Sequence, residues 1–200
     1  MKHIYYMIIF FNFLSSFTYA IQEKKVIDKG ICFYFTGLSG AGKSTLAEKF
    51  KEKLIALNYS ENNITILDGD EIRKNLSFGL NFSKKHRSLN VRRIGYVASL
   101  IVKHKGICLV ANIAPYEEDR IYNRDVISKY GDYIEVFVNT SLEVCEKRDV
   151  KGLYEKARKG QIKQFTGIDD PYEEPEKAEI SVDGSKNIKT CIEKLMKYIK

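Results

Sequence analysis

The sequence predicts an α/β fold, a mostly parallel sheet flanked by helices in three layers, and three observations carry that expectation. A short apolar run, Ile31-Cys32-Phe33-Tyr34-Phe35, passes through a Gly-rich loop into a helical stripe of Leu46, Ala47, Phe50, Leu54 and Leu57, so a strand-length segment gives way to a 3.6-residue period. Residues 107–112, I-C-L-V-A-N, are apolar almost without a break, the mark of a strand covered on both faces. Strand-like and helix-like segments then alternate to the C-terminus, and strands joined through helices lie parallel.

The elements follow in order. Ile64-Thr65-Ile66-Leu67 reads as the second strand, ending in Asp68-Gly69-Asp70. The stretch Asn75 to Asn90 is polar and turn-rich, and is expected to be irregular. Ile94, Ala98, Ile101 and Val102 stripe a helix that Gly106 ends. Pro115 stops the apolar strand, residues 117–129 are helical and charged, Tyr133 to Val138 is another strand, and Ser141 to Arg148 another helix. Residues 149–177 are Lys-rich, Gly-punctuated and without an apolar stripe; a segment too long for an ordinary connection reads as an active-site lid. Ile180-Ser181-Val182 is the last strand, and Ile188, Cys191, Ile192, Leu195, Met196 and Ile199 stripe a C-terminal helix. With no repeat or second domain, the chain divides into a leader and linker, 1–29, and one domain, 30–200.

The loop between the first strand and helix carries the chemistry. Gly37-Leu38-Ser39-Gly40-Ala41-Gly42-Lys43-Ser44-Thr45 fits the phosphate-loop pattern of Gly, four residues, then Gly-Lys-Ser/Thr. Glycines let successive N–H groups turn inward on an anion, and a helix starting near Lys43 adds its dipole. Lys43 can reach β- and γ-phosphates, and the Ser44 hydroxyl can ligate Mg²⁺. The strand–loop–helix context is what the motif requires, so the expectation is a P-loop NTPase fold that binds a nucleoside triphosphate. Ligands in such folds sit at the carboxyl ends of the strands, where Asp68-Gly69-Asp70 and Asn112-Ile113-Ala114-Pro115 also gather.

Composition narrows the partners. Lys and Arg number 33 against 26 acidic residues, a net +7, which suits nucleic acid, a membrane surface or small polyanions. The basic residues are interspersed with acidic ones, with neither zinc-finger spacing nor an RNA-binding aromatic signature, so phosphorylated small molecules are expected and nucleic acid is not. Cys32, Cys108, Cys145 and Cys191 are widely spaced in apolar runs or helical stripes, as small buried hydrophobes of a reducing compartment are. With His3, His86 and His104 they show no metal-ligand spacing. The first twenty residues run from Lys2-His3 through an apolar stretch to Thr18-Tyr19-Ala20, the pattern of a secretory signal peptide. The run is short for a membrane span and holds Asn12. A need for ATP argues for the cytoplasm, with export or a mis-called start left open by this leader.

The loop alone does not choose among phosphate-loop proteins. No Asn/Thr-Lys-x-Asp guanine signature is present, and the strand at 107–112 ends without an Asp. The site carboxylates must then be Asp68 and Asp70, one on the metal side and the other accepting a proton from the attacking hydroxyl. Asp70 is the expected base and Asp68 the expected metal-side carboxylate. A solvated turn is the other reading of an Asp-Gly-Asp.

Taken together, G-L-S-G-A-G-K-S-T, L-D-G-D-E-I-R, N-F-S-K-K-H-R-S-L-N-V-R-R-I-G, K-G-L-Y-E-K-A-R and F-T-G-I-D-D-P-Y-E-E-P resemble the adenylylsulfate kinase family, from about Cys32 to the C-terminal helix. The resemblance implies transfer of the γ-phosphoryl of ATP, with Mg²⁺, to the 3′-hydroxyl of adenosine 5′-phosphosulfate, giving 3′-phosphoadenylylsulfate, and it implies a homodimer. It implies that Arg73 binds the adenylylsulfate anion, that Arg87 and Asn90 serve the same substrate, and that Phe82 and Phe165 sandwich its adenine. Lys163 would add charge nearby, Arg148 would stack on the adenine of ATP, and the backbone of Ile113 to Pro115 would line the sulfate-nucleotide pocket. Two departures stand out. Many members read Ile-Ser-Pro-Tyr-Arg where this chain has Ile113-Ala114-Pro115-Tyr116-Glu117; the serine is a phosphorylated intermediate in some relatives, and Ala114 has no hydroxyl. The tryptophan common before the loop is replaced by Phe33 and Phe35. The rivals are another small-molecule P-loop kinase and a nucleotide-binding module without turnover.

Overall fold

The computed structural model describes residues 23–199, so the leader reading at residues 1–20 lies outside the described residues. The elements run β1 (Ile31–Thr36), α1 (Lys43–Ala56), β2 (Ile64–Asp68), α2 (Gly69–Lys74), α3 (Lys84–Lys103), β3 (Ile107–Ala111), α4 (Glu117–Ser128), β4 (Asp132–Val138), α5 (Leu142–Arg148), α6 (Leu153–Arg158), β5 (Ile180–Val182) and α7 (Ile188–Met196). All five strands are parallel, in the order β2-β3-β1-β4-β5. The alternation of strands and helices therefore gives the doubly covered sheet the sequence implies.

The central strand β1 is buried along its whole length, and its side chains alternate between the two faces. Phe33 and Phe35 join a core with Phe50 and Leu54 of α1 and Cys191 and Leu195 of α7, while Cys32 and Tyr34 join one with Ile94, Ala98 and Val102 of α3. Phe33 meets Phe50 edge-on at 4.9 Å. On the other face, the Tyr34 hydroxyl accepts from Asn112 Nδ2 at 3.0 Å and Asn123 Nδ2 at 2.9 Å, which satisfies a phenol that burial would otherwise leave unpaired. All four cysteines are buried and free. Before β1, Lys25 bridges to Tyr59 and Ile27 packs into the α1 core, so the fold takes in residues just ahead of position 30.

Three local readings change. Only residues 75–83 of the polar stretch are irregular; α3 begins at Lys84, with the Ser83 hydroxyl accepting from the His86 N–H. Asp68-Gly69-Asp70 is a helix start rather than a turn, because the Asp68 carboxylate caps α2 by accepting from the Asp70 N–H at 2.9 Å. Within 149–177, α6 buries Tyr154 and Ala157, two apolar contacts too few to register as a stripe. No helix among the described residues is long and apolar enough to cross a membrane.

Candidate active site

The carboxyl ends of β1, β2 and β3 open into one cavity of about 540 Å³, lined by Ser39, Lys43, Asp68, Arg87, Asn112 and Phe165 among others. At its floor the loop from β1 to α1 turns through Gly37, Gly40 and Gly42, all at positive φ, with Gly42 (φ 107°) beginning α1. A side chain at Gly37 would meet the Val138 carbonyl at 2.6 Å, so backbone approach as well as conformation calls for glycine there. The Lys43 ammonium donates to the carbonyls of Gly37 at 2.9 Å and Leu38 at 2.7 Å. Burial pushes that ammonium down to about 8, so an arriving polyphosphate meets a cation short of counter-charge.

Ser44 Oγ donates to Asp68 Oδ2 at 2.6 Å. Two hard oxygens meeting at the helix N-terminus suit Mg²⁺, which takes few protein ligands and completes its shell with phosphate and water. Asp70 lies in the first turn of α2 and pairs with Lys151 of the segment 149–177. The strand register sets Asp68 opposite Ala111, which brings the acids beside the Asn112–Pro115 loop.

The far side of the cavity is cationic and aromatic. The Arg73 and Arg87 guanidinium groups both lie over the Phe82 ring, at 4.8 and 5.3 Å. Arg73 donates to the Leu80 and Asn81 carbonyls, and Arg87 to those of Phe82 at 2.8 Å and Gln164 at 2.5 Å. Burial leads in pulling both guanidinium groups below their ordinary values, and for Arg73 the charge of Arg87 adds to it. Two close cations whose hydrogen-bond acceptors among the described residues are backbone carbonyls are arranged for an anion. Asn90 lines the same wall, with its buried Oδ1 lacking a hydrogen-bond partner among the described residues. Phe165 meets Tyr154 edge-on at 5.0 Å and lines the cavity with Phe82.

Most expected residues thus meet in one space, with differences. Ile113, Ala114 and Pro115 line it. Gly37, Leu38 and Ala41 shape the loop from behind without lining the cavity. Arg148 lines the cavity, but its guanidinium donates to the carbonyls of Gly40, Ala41 and Gly184. Lys163 is exposed and outside the lining, because Gln164 at φ 57° turns the chain between it and Phe165. Sequence reading missed Lys151 and Tyr154, whose hydroxyl reaches the Ser39 carbonyl at 2.9 Å, although K-G-L-Y had marked that stretch. It also missed Gly184, Lys186, Ile188 and Cys191 at the Arg148 end, where no motif signals them.

Comparison with known proteins gives the family. The family described as adenylylsulphate kinase matches residues 29–183. An adenylyl-sulfate kinase of Microcystis aeruginosa is 55% identical over 152 residues, 76% of this chain and 81% of that one. One from Clostridium acetobutylicum is 43% identical over 180 residues, 90% and 88% of the two chains. Among solved structures, the Mycobacterium tuberculosis APS kinase in complex with AMPPNP and APS superposes with a TM-score of 0.79 at 39% identity, over 84% of this chain and 96% of that one. On a family match across most of its length and on relatives sharing about half its residues, this chain belongs to the adenylylsulphate kinase family.

Proposed function

We infer that the chain is an ATP-dependent kinase that moves the γ-phosphoryl of ATP to the 3′-hydroxyl of adenosine 5′-phosphosulfate, yielding 3′-phosphoadenylylsulfate and ADP. The observation that carries this reading is the single cavity in which a phosphate loop and two acids face an aromatic wall with paired arginines. ATP lies along Gly37–Thr45 with its base toward Arg148. The acceptor nucleotide lies between Phe82 and Phe165, with its anion on Arg73 and Arg87 and its sugar edge toward Asp70. Ser44 and Asp68 would hold Mg²⁺, which would supply positive charge to the polyphosphate. Asp70 takes the proton of the attacking hydroxyl, Lys43 and the loop amides hold the transferring oxygens, and the lid excludes water. We place the enzyme in the cytoplasm, as a homodimer with a lid at about 149–177. With ATP, adenylylsulfate should be turned over far faster than AMP, gluconate or shikimate; equal turnover of any of the other three overturns the assignment.

Phe165 supplies a narrower check. Phe165→Ala should weaken adenylylsulfate binding by about 1–3 kcal/mol if the ring stacks on a base, while ATP affinity measured alone barely changes. Because the ring also packs on Tyr154, which reaches the phosphate loop, equal losses for both ligands would make it a packing residue.

A further inference from the structure

The wall formed by Ile113, Ala114 and Pro115 is held in an unusual way. Ala114 sits at φ 43°, a left-handed conformation that alanine keeps only where its surroundings impose it. Each carbonyl of the wall takes its shortest hydrogen bond from a different donor, with Thr36 Oγ1 also reaching Ala114 O at 3.4 Å. Ile113 O accepts from Thr36 Oγ1 at 2.6 Å, Ala114 O from an Arg120 terminal nitrogen at 2.8 Å, and Pro115 O from the Glu173 N–H at 2.8 Å. Of these donors only Arg120 is charged, and it is 2% exposed. Its Nε lies 3.0 Å from Glu135 Oε1 on β4, and Glu135 is buried too. Arg124 in turn holds Glu135 at 3.3 Å and Glu179 at 2.6 Å. A planar guanidinium can face a carboxylate with one edge and a carbonyl with another, which an ammonium does not reproduce.

We propose that Arg120 is a positioning residue for the acceptor nucleotide: braced by Glu135, it fixes the Ala114 carbonyl and through it the cavity wall, without itself touching either substrate. Burying an ion pair of this kind is poor value for stability alone, since apolar residues of similar volume serve as well. Its return is the fixed direction of one carbonyl beside the substrate. The proposal rests on the assignment of this wall to the sulfate-nucleotide side.

The test is steady-state kinetics on the full chain with each substrate varied in turn. Arg120→Lys keeps a cation for Glu135 but gives up the two-sided grip. It should raise KM for adenylylsulfate about tenfold and leave KM for ATP within about twofold, since displacements near an ångström cost that much or more. The thermal midpoint should stay near that of the parent. The pair Arg120→Met with Glu135→Met removes both charges together, so no lone buried charge remains, yet leaves the Ala114 carbonyl only the long 3.4 Å contact from Thr36 Oγ1; the same selective rise in KM is expected. A folded variant that handles adenylylsulfate like the parent, KM values that rise in step, or loss of folding in both variants overturns the proposal. Failure of the functional assignment itself is seen separately, as a parent enzyme that does not turn over adenylylsulfate.

Discussion

Asp70→Asn should lower kcat by about two to four powers of ten, the usual contribution of a positioned general base, with ATP affinity and thermal midpoint close to the parent's. The structure explains why the effect should be confined to turnover. Asp70 is exposed in the first turn of α2, its backbone N–H is held by Asp68, and its carboxylate pairs with Lys151 of the segment 149–177. An amide keeps the shape and the backbone contact but cannot take the proton from the attacking hydroxyl. In the pairing seen here Lys151 sits on the Asp70 carboxylate, so a hydroxyl that hands its proton to Asp70 would displace that ammonium. Single-turnover kinetics with saturating ATP reads the chemical step directly. Near-normal turnover by the asparagine variant would remove Asp70 from the mechanism.

Lys43→Met should cost about two to three powers of ten in kcat, as loss of a preorganised donor to a transferring group does. Here too stability and turnover should part company. The ammonium is buried and pushed down to about 8 by that burial, so replacing it with an apolar side chain of similar length removes an unfavourable desolvation. Its carbonyl partners, buried Gly37 and half-buried Leu38, each lose a donor, which offsets part of that gain. The variant should therefore melt close to the parent while being nearly inactive. An early-melting variant would show that Lys43 mainly braces the loop, and an active one that it does not meet the phosphates.

What the sequence revealed and what it hid follow the same physical line. Elements that bury apolar side chains were legible: β1 with its alternating faces, β3 between two neighbours, and α7 with its stripe. The start of α3 was hidden because its inward face there is Arg87 and Asn90, polar residues that turn to a cavity and so break the apolar period. The phosphate loop was legible because glycine spacing is a backbone requirement. Asp68 and Asp70 were legible as acids at a strand end, although not as the cap of a helix too short to show a period. Side-chain direction was not. Nothing in the spacing told that Arg148 would reach three loop carbonyls, that Lys163 would face away, or that Arg120 would carry the carbonyl of Ala114.

That alanine bears on the central claim, direct transfer from ATP to adenylylsulfate. The side chain of residue 114 offers no nucleophile, and its backbone is part of a buried wall whose Ala114 carbonyl accepts from Arg120. Tyr116 is no substitute: burial and its hydrogen bond to Asp170 push the phenol well above its ordinary range, so little of it ionises near neutral pH. The decisive measurement is a single turnover with γ-labelled ATP, quenched in a time course with and without adenylylsulfate. Direct transfer predicts that label passes to the 3′-phosphate of the product at the rate of ADP release, with none on the protein at any time. A protein-bound label that forms without adenylylsulfate and then moves to it at a competent rate would contradict the account.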